Sequence, residues 1–119
     1  MPIAEGTQYW ILVDGVRTVC MYLKPTEVQG TRMHLVAVPA RAMSEPSARD
    51  REVRSAQGEA KVVVRILLIA STAGFRQARS EGYSYEEWSA TPRLDDVMHV
   101  MESDPRALPL RQEGAAPGG

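Results

Sequence analysis

The hydrophobic pattern is densest at Lys61–Ala70, KVVVRILLIA, where Arg65 is the one charge among the nine residues that follow Lys61. A stretch apolar on both alternating faces fits a central strand covered above and below, or a helix buried all round; periodicity does not separate them. Its β-branched residues Val62, Val63, Val64, Ile66 and Ile69 favour a strand. It is too short for a bilayer, which takes about 20 apolar residues.

Upstream, Asp14-Gly15 lies between two β-prone runs, and this dipeptide supplies the positive φ angles of a two-residue turn. The spacing predicts a hairpin of Gln8–Val13 and Val16–Leu23. Tyr9, Ile11 and Val13 alternate with Trp10 and Leu12, so both faces are apolar, as in a sheet covered on two sides or paired with another chain. Lys24–Gly30, punctuated by Pro25 and Gly30, reads as a connection. Thr31–Val38 follows as a third strand, with Met33, Leu35 and Ala37 on one face and Arg32, His34 and Val36 on the other, ended by Pro39.

Between Pro39 and Glu59 the chain turns polar and arginine-rich. Ser44 or Ser47 is placed to cap a short helix running to Gln57 and stopped by Gly58, with a mobile loop as the alternative. A rival pattern fuses Ala48–Glu81 into one long helix. After the apolar stretch, Ser71–Gly74 has turn composition and precedes a helical piece ending near Gly82. Ser84 and Glu87 have capping-box spacing. Thr91 then reads as a second cap with Pro92 at the first helical position, Asp95 and Asp96 in the first turn, and Leu94, Val97, Met98 and Met101 along one side.

These elements predict an α+β fold: a small antiparallel sheet (N-terminal hairpin, third strand, buried central strand 61–70) with C-terminal helices packed on it. Residues 1–6 read as a flexible lead-in and 7–102 as a single domain, with 39–60 as a polar connection or short helix. Residues 103–119, rich in Pro and Gly, read as an extended tail. A length of 119 residues suits one domain with one continuous core. The formal net charge of -1 points to no particular partner and disfavours nucleic acid. Cys20 is the single cysteine, which excludes an intrachain disulfide framework and any cysteine-based zinc site. With no leader pattern in the first residues, the expected compartment is the cytoplasm, and no membrane association is expected. Arginine outnumbers lysine, and Ala, Gly and Pro are frequent, which suggests a GC-rich bacterial or phage genome.

Candidate chemistry is sparse. Asp95, His99 and Glu102 share a helical ridge, spacing that lets an imidazole and a carboxylate share a metal. That ridge is also where a solvated face belongs, and a metal-dependent hydrolase would need His34 brought to Asp95 and His99. Cys20, His34 and Asp14 are the types a thiol site uses, but Cys20 falls inside a strand, where a thiol is packed and inert. Ser71–Gly74 occupies an anion-site position without the lysine and glycine spacing of a phosphate loop. Arg49, Arg51, Arg54, Arg76 and Arg79 form a basic middle that could grip phosphates, although Asp50 and Arg54 have the spacing of a helical ion pair. Tyr83, Tyr85 and Trp88 concentrate aromatics of the kind that carry interface energy. The leading expectation is a non-enzymatic protein–protein interaction module, an accessory factor or assembly subunit, binding another protein or itself without a cofactor. A nucleic-acid-associated protein and a small metal-dependent hydrolase are the alternatives.

Overall fold

A computed structural model describes residues 3–56, 59–77 and 91–109. Strands β1 (Gln8–Val13) and β2 (Val16–Val28) form the expected hairpin, with Asp14 and Gly15 at φ 51° and 81°, both in the left-handed region that a tight two-residue turn requires. β2 then runs straight through the predicted Lys24–Gly30 connection and pairs with β3 (Thr31–Pro39) as far as Val28↔Thr31. The turn is confined to Gln29 and Gly30, again both at positive φ. Pro25 is tolerated within the strand because β1 no longer flanks β2 there, leaving an edge at which a missing N–H breaks no ladder. A bulge between Tyr22 and Lys24 shifts the register.

Lys61–Ile69 is a strand, β5, as its β-branched content predicts. It lies between β3 and a short edge strand, β4 (Arg51–Arg54), while β6 (Arg76–Gln77) closes the other edge against Tyr9 and Trp10. The order is β4-β5-β3-β2-β1-β6, antiparallel throughout. The architecture is α+β, with one α-helix among the described residues, α1 (Leu94–Ser103). None of the helices described is long and apolar enough to cross a membrane.

Alternation divides the apolar side chains between two faces. Met21, Leu23, Leu35, Ala37, Val53, Val64 and Ile66 meet Val97 and Met101 of α1, with Leu94 and Met98 packed beside them as the helical spacing predicts. Tyr9, Ile11, Val13, Cys20, Tyr22, Val36 and Val38 form a second cluster on the reverse face, covered by Ile3, Met43, Leu67, Ile69 and Phe75. Ahead of β1, Ala4 N–H donates to the Tyr9 hydroxyl and Gly6 N–H to the Tyr22 carbonyl.

Further expectations are corrected. Neither a short helix through 44–57 nor a long one from Ala48 forms, because Arg51–Arg54 pairs with Lys61–Val64 as a strand. A four-residue edge with Val53 as its one buried apolar residue owes its place to polar ties. Arg51 Nε reaches Asp104 (2.7 Å) and Arg54 is bidentate to Asp96 (2.8 and 3.0 Å), with the Arg54 backbone N–H donating to the same carboxylate. Asp96 and Asp104 are about 12 Å apart along a helix. Arg51 and Arg54 are about 10 Å apart along a strand. The two ion pairs therefore fasten both ends of α1 to β4. The helical Asp50–Arg54 pair is replaced by this arrangement, since Asp50 turns to Arg65 instead.

Thr91 and Pro92 do not start α1. They run extended beside β4, with Ala56 N–H donating to the Thr91 carbonyl, Arg93 N–H to the Arg54 carbonyl, and a bridge between Ser55 and Pro92. Helical geometry begins at Leu94, with Asp95 and Asp96 in the first turn. At Arg76–Gln77 a strand stands where a helical piece was expected. The capping box at Ser84–Glu87 lies outside the described residues.

Arg65, the lone charge of the apolar stretch, is 7% exposed. Its Nε and Nη2 bond the Asp50 carboxylate (2.6 and 3.2 Å), and Nη2 also donates to the Glu45 carbonyl. A buried cation survives only when paired and hydrogen-bonded in this way. The loop between β3 and β4 is thereby pinned across the reverse face.

Candidate binding groove

β2 and β3 part company at the pair Met21↔Ala37. Val38 and Pro39 continue on β5, and the chain then turns away in a single 3-10 turn, Ala40–Ala42. Pro39 has no N–H to offer β2, which favours the separation. Val16–Cys20 consequently keeps β1 as its neighbour on one side and has no strand on the other among the described residues.

Which main-chain groups this exposes follows from strand geometry. Tyr22 N–H donates to the Thr7 carbonyl, on the β1 side. Successive residues of an antiparallel strand direct their N–H and C=O to opposite edges. Cys20 and Thr18 therefore bond toward β1, while Val19 directs its groups away from it. Beside this edge lies a cavity of about 290 Å³, walled by Val16–Cys20 on one side and Pro39, Arg41 and Ala42 on the other, and closed by Met21 and Ala37 where the strands meet. Thr91, Pro92 and Gln8 complete the lining.

The groove is apolar with a few polar groups. Arg41 is exposed on one wall, and Arg17 on the opposite wall lies over the Trp10 ring at 4.0 Å from its centroid. Gln8 Oε1 is buried without a hydrogen-bond donor among the described residues. Past the groove the hairpin tip presents Leu12 and Val16, 73% and 61% exposed. Cys20 borders the cavity, but its side chain packs in the reverse-face cluster and burial pushes the thiol up to about 12, so no thiolate nucleophile is present near neutral pH.

No family model, curated protein or solved structure matches the chain.

The candidate catalytic groups are not brought together. His34 sits on the reverse face, its Nδ1 2.8 Å from the Tyr22 hydroxyl, and burial lowers its pKa. Asp95, His99 and Glu102 are exposed on α1, which covers the opposite face, so the sheet separates the two imidazoles. Among the described residues there is no group of three or more His, Cys, Asp or Glu side chains arranged to hold a metal. At Ser71–Gly74 the Ser71 hydroxyl accepts the Ala73 N–H, closing a local turn. Asp14 stands exposed in the β1–β2 turn.

Of the basic middle, Arg51 and Arg54 are committed to α1, and Arg49 donates to the Ile66 carbonyl at 3.0 Å. Arg76 is exposed on β6, and Arg79 lies outside the described residues. Tyr83, Tyr85 and Trp88 also lie outside them. The sequence carries one hint of the groove, a hairpin apolar on both faces followed by a third strand cut short at Pro39.

Proposed function

We propose that this chain is a non-enzymatic protein-binding module whose ligand seats in the notch between β2 and the Pro39–Ala42 turn. The observation that carries the reading is the parting of β2 from β3, which leaves Val16–Cys20 with no strand on that side among the described residues, beside a preformed cavity. Supporting it, the residues with catalytic potential are committed elsewhere or dispersed: Cys20 to the core, His34 to Tyr22, and Asp50, Asp96 and Asp104 to arginines. The cavity stands at the lower end of small-molecule pockets, which span roughly 300–1,000 Å³.

The test is affinity capture from the native host with the wild-type chain and with Ala42→Trp, which places an indole into the notch from its outer wall. A partner held by the wild type and lost by a variant of unchanged melting temperature supports the reading. Capture that persists undiminished with the notch filled contradicts it.

A further inference from the structure

Independently of the groove, we infer that Arg49 guards a second strand edge, the outer side of β5 beyond Val64. The partner it holds off is a second copy of this chain. β4 accompanies β5 only as far as the pair Arg51↔Val64. The next bonded pair along that ladder would join residues 49 and 66, but the Arg49 N–H turns instead to the Ser47 hydroxyl. The Arg49 side chain takes over the vacated place, its Nη1 donating to the Ile66 carbonyl at 3.0 Å. That bond shows which way the Ile66 carbonyl points, and alternation sends the main-chain groups of Leu68 and Ala70 to the same side. Arg65, Leu67 and Ile69 face β3 instead, opposite Val38, Val36 and His34. Beyond Arg51 no strand lies on the outer side of β5 among the described residues.

The edge behind this guard is self-complementary. Ile66–Ala70, ILLIA, carries no charge, the composition that pairs edge to edge unless something blocks it. A twofold axis at Leu68 sets Leu68 against its own copy and Ile66 against Ala70 of the second copy, in the antiparallel sense. The Ala70 N–H of that copy then needs the Ile66 carbonyl, which is the acceptor that Arg49 occupies. Stability alone does not account for the contact. Arg49 Nε is buried without an acceptor among the described residues, and burial, followed by the nearby Arg65 cation, pushes the Arg49 pKa down. A guanidinium left half satisfied beside another cation contributes little to the fold. A charge set on an open edge, by contrast, is a means by which sheets resist pairing.

The experiment is sedimentation velocity of the full chain over a concentration series, with hydrogen exchange of the Leu68 and Ala70 amides measured alongside. Wild type should sediment as a single chain and exchange both amides faster than those of Leu67 and Ile69, which face β3. Arg49→Ala should self-associate at least about tenfold more tightly, and should protect both amides as concentration rises. Arg49→Lys, which keeps a donor for the carbonyl, should behave as wild type. Arg49→Ala combined with Ala70→Pro, a change at an exposed residue that deletes the donor the second copy needs, should return to a single chain. Arg49→Ala that sediments as wild type throughout the series would overturn the inference. Association that survives in the double variant would overturn it too, since it would then come from unfolding or from another surface. Leu68 and Ala70 amides protected in the dilute wild type would mean that the edge is already paired, with the same consequence. None of these outcomes bears on capture of a partner through the notch.

Discussion

Two strand edges of the sheet, at β4 and at Val16–Cys20 of β2, are treated in opposite ways. At the β4 end a short, poorly apolar edge strand is covered: Thr91–Arg93 bonds its outer side, and ion pairs to Asp96 and Asp104 fix α1 across it. Between β2 and β3 the long β1–β2 hairpin projects past the last pair, and the Val16–Cys20 edge is left without a strand among the described residues. An uncovered edge invites pairing with another chain, and proteins ordinarily blunt it.

The sharpest way to break this contrast is to strip the closed end of its buried partner. Asp50→Ala leaves Arg65 charged, buried and without its carboxylate, and should cost about 3 kcal/mol or more in urea unfolding. A loss below about 1 kcal/mol would show that the β3–β4 loop is not held by this pair.

A matched proline pair separates the two sides of β2. Thr18→Pro removes an N–H that bonds β1 and should destabilise by at least about 2 kcal/mol. Val19→Pro removes one that faces the groove, and should fall within about 1 kcal/mol of wild type. Equal losses at the two positions would mean that Val19 is bonded within the fold.

Smaller still is the effect of acid, which acts mainly on the closed end. Asp50 lies below the usual carboxylate range, first through its hydrogen bond from Arg65, and Asp96 does so first through its hydrogen bond from Arg54. Because the unfolded chain takes up protons before the folded one, this stabilisation is complete above the ordinary value of about 4 and is lost as pH falls through the folded values. His34, whose pKa burial lowers, adds a shallow loss of the same sign that begins below about 6.5. Urea midpoints from pH 7 to 3 should therefore fall mainly at the acid end, and less steeply in Asp50→Asn. A midpoint that rises on acidification would contradict the pairing.

What the sequence disclosed follows the same division. The hairpin turn, the third strand and the central strand were legible because Asp14-Gly15, alternation and β-branching are local signals. β4 was not, since its stability resides in partners 42 and 53 residues away, Asp96 and Asp104, and in pairing with β5. The continuation of β2 through Pro25 was hidden because proline reads as a break until its neighbour on that side is known to end. The groove was invisible for a related reason: Pro39 announced the end of β3, but nothing local shows that β2 and β1 go on without it. Arg65 stands out in the sequence as a lone charge, but its partner Asp50 has the spacing of a helical pair with Arg54 that does not form.

Amide hydrogen exchange of the unliganded chain tests the open edge most directly. The Val19 N–H should exchange at least about tenfold faster than those of Thr18 and Cys20, its neighbours on the β1 side of the same strand. Protection of Val19 equal to theirs, at protein concentrations where the chain is monomeric, would mean that the edge is already closed and that the groove offers a ligand no strand to join.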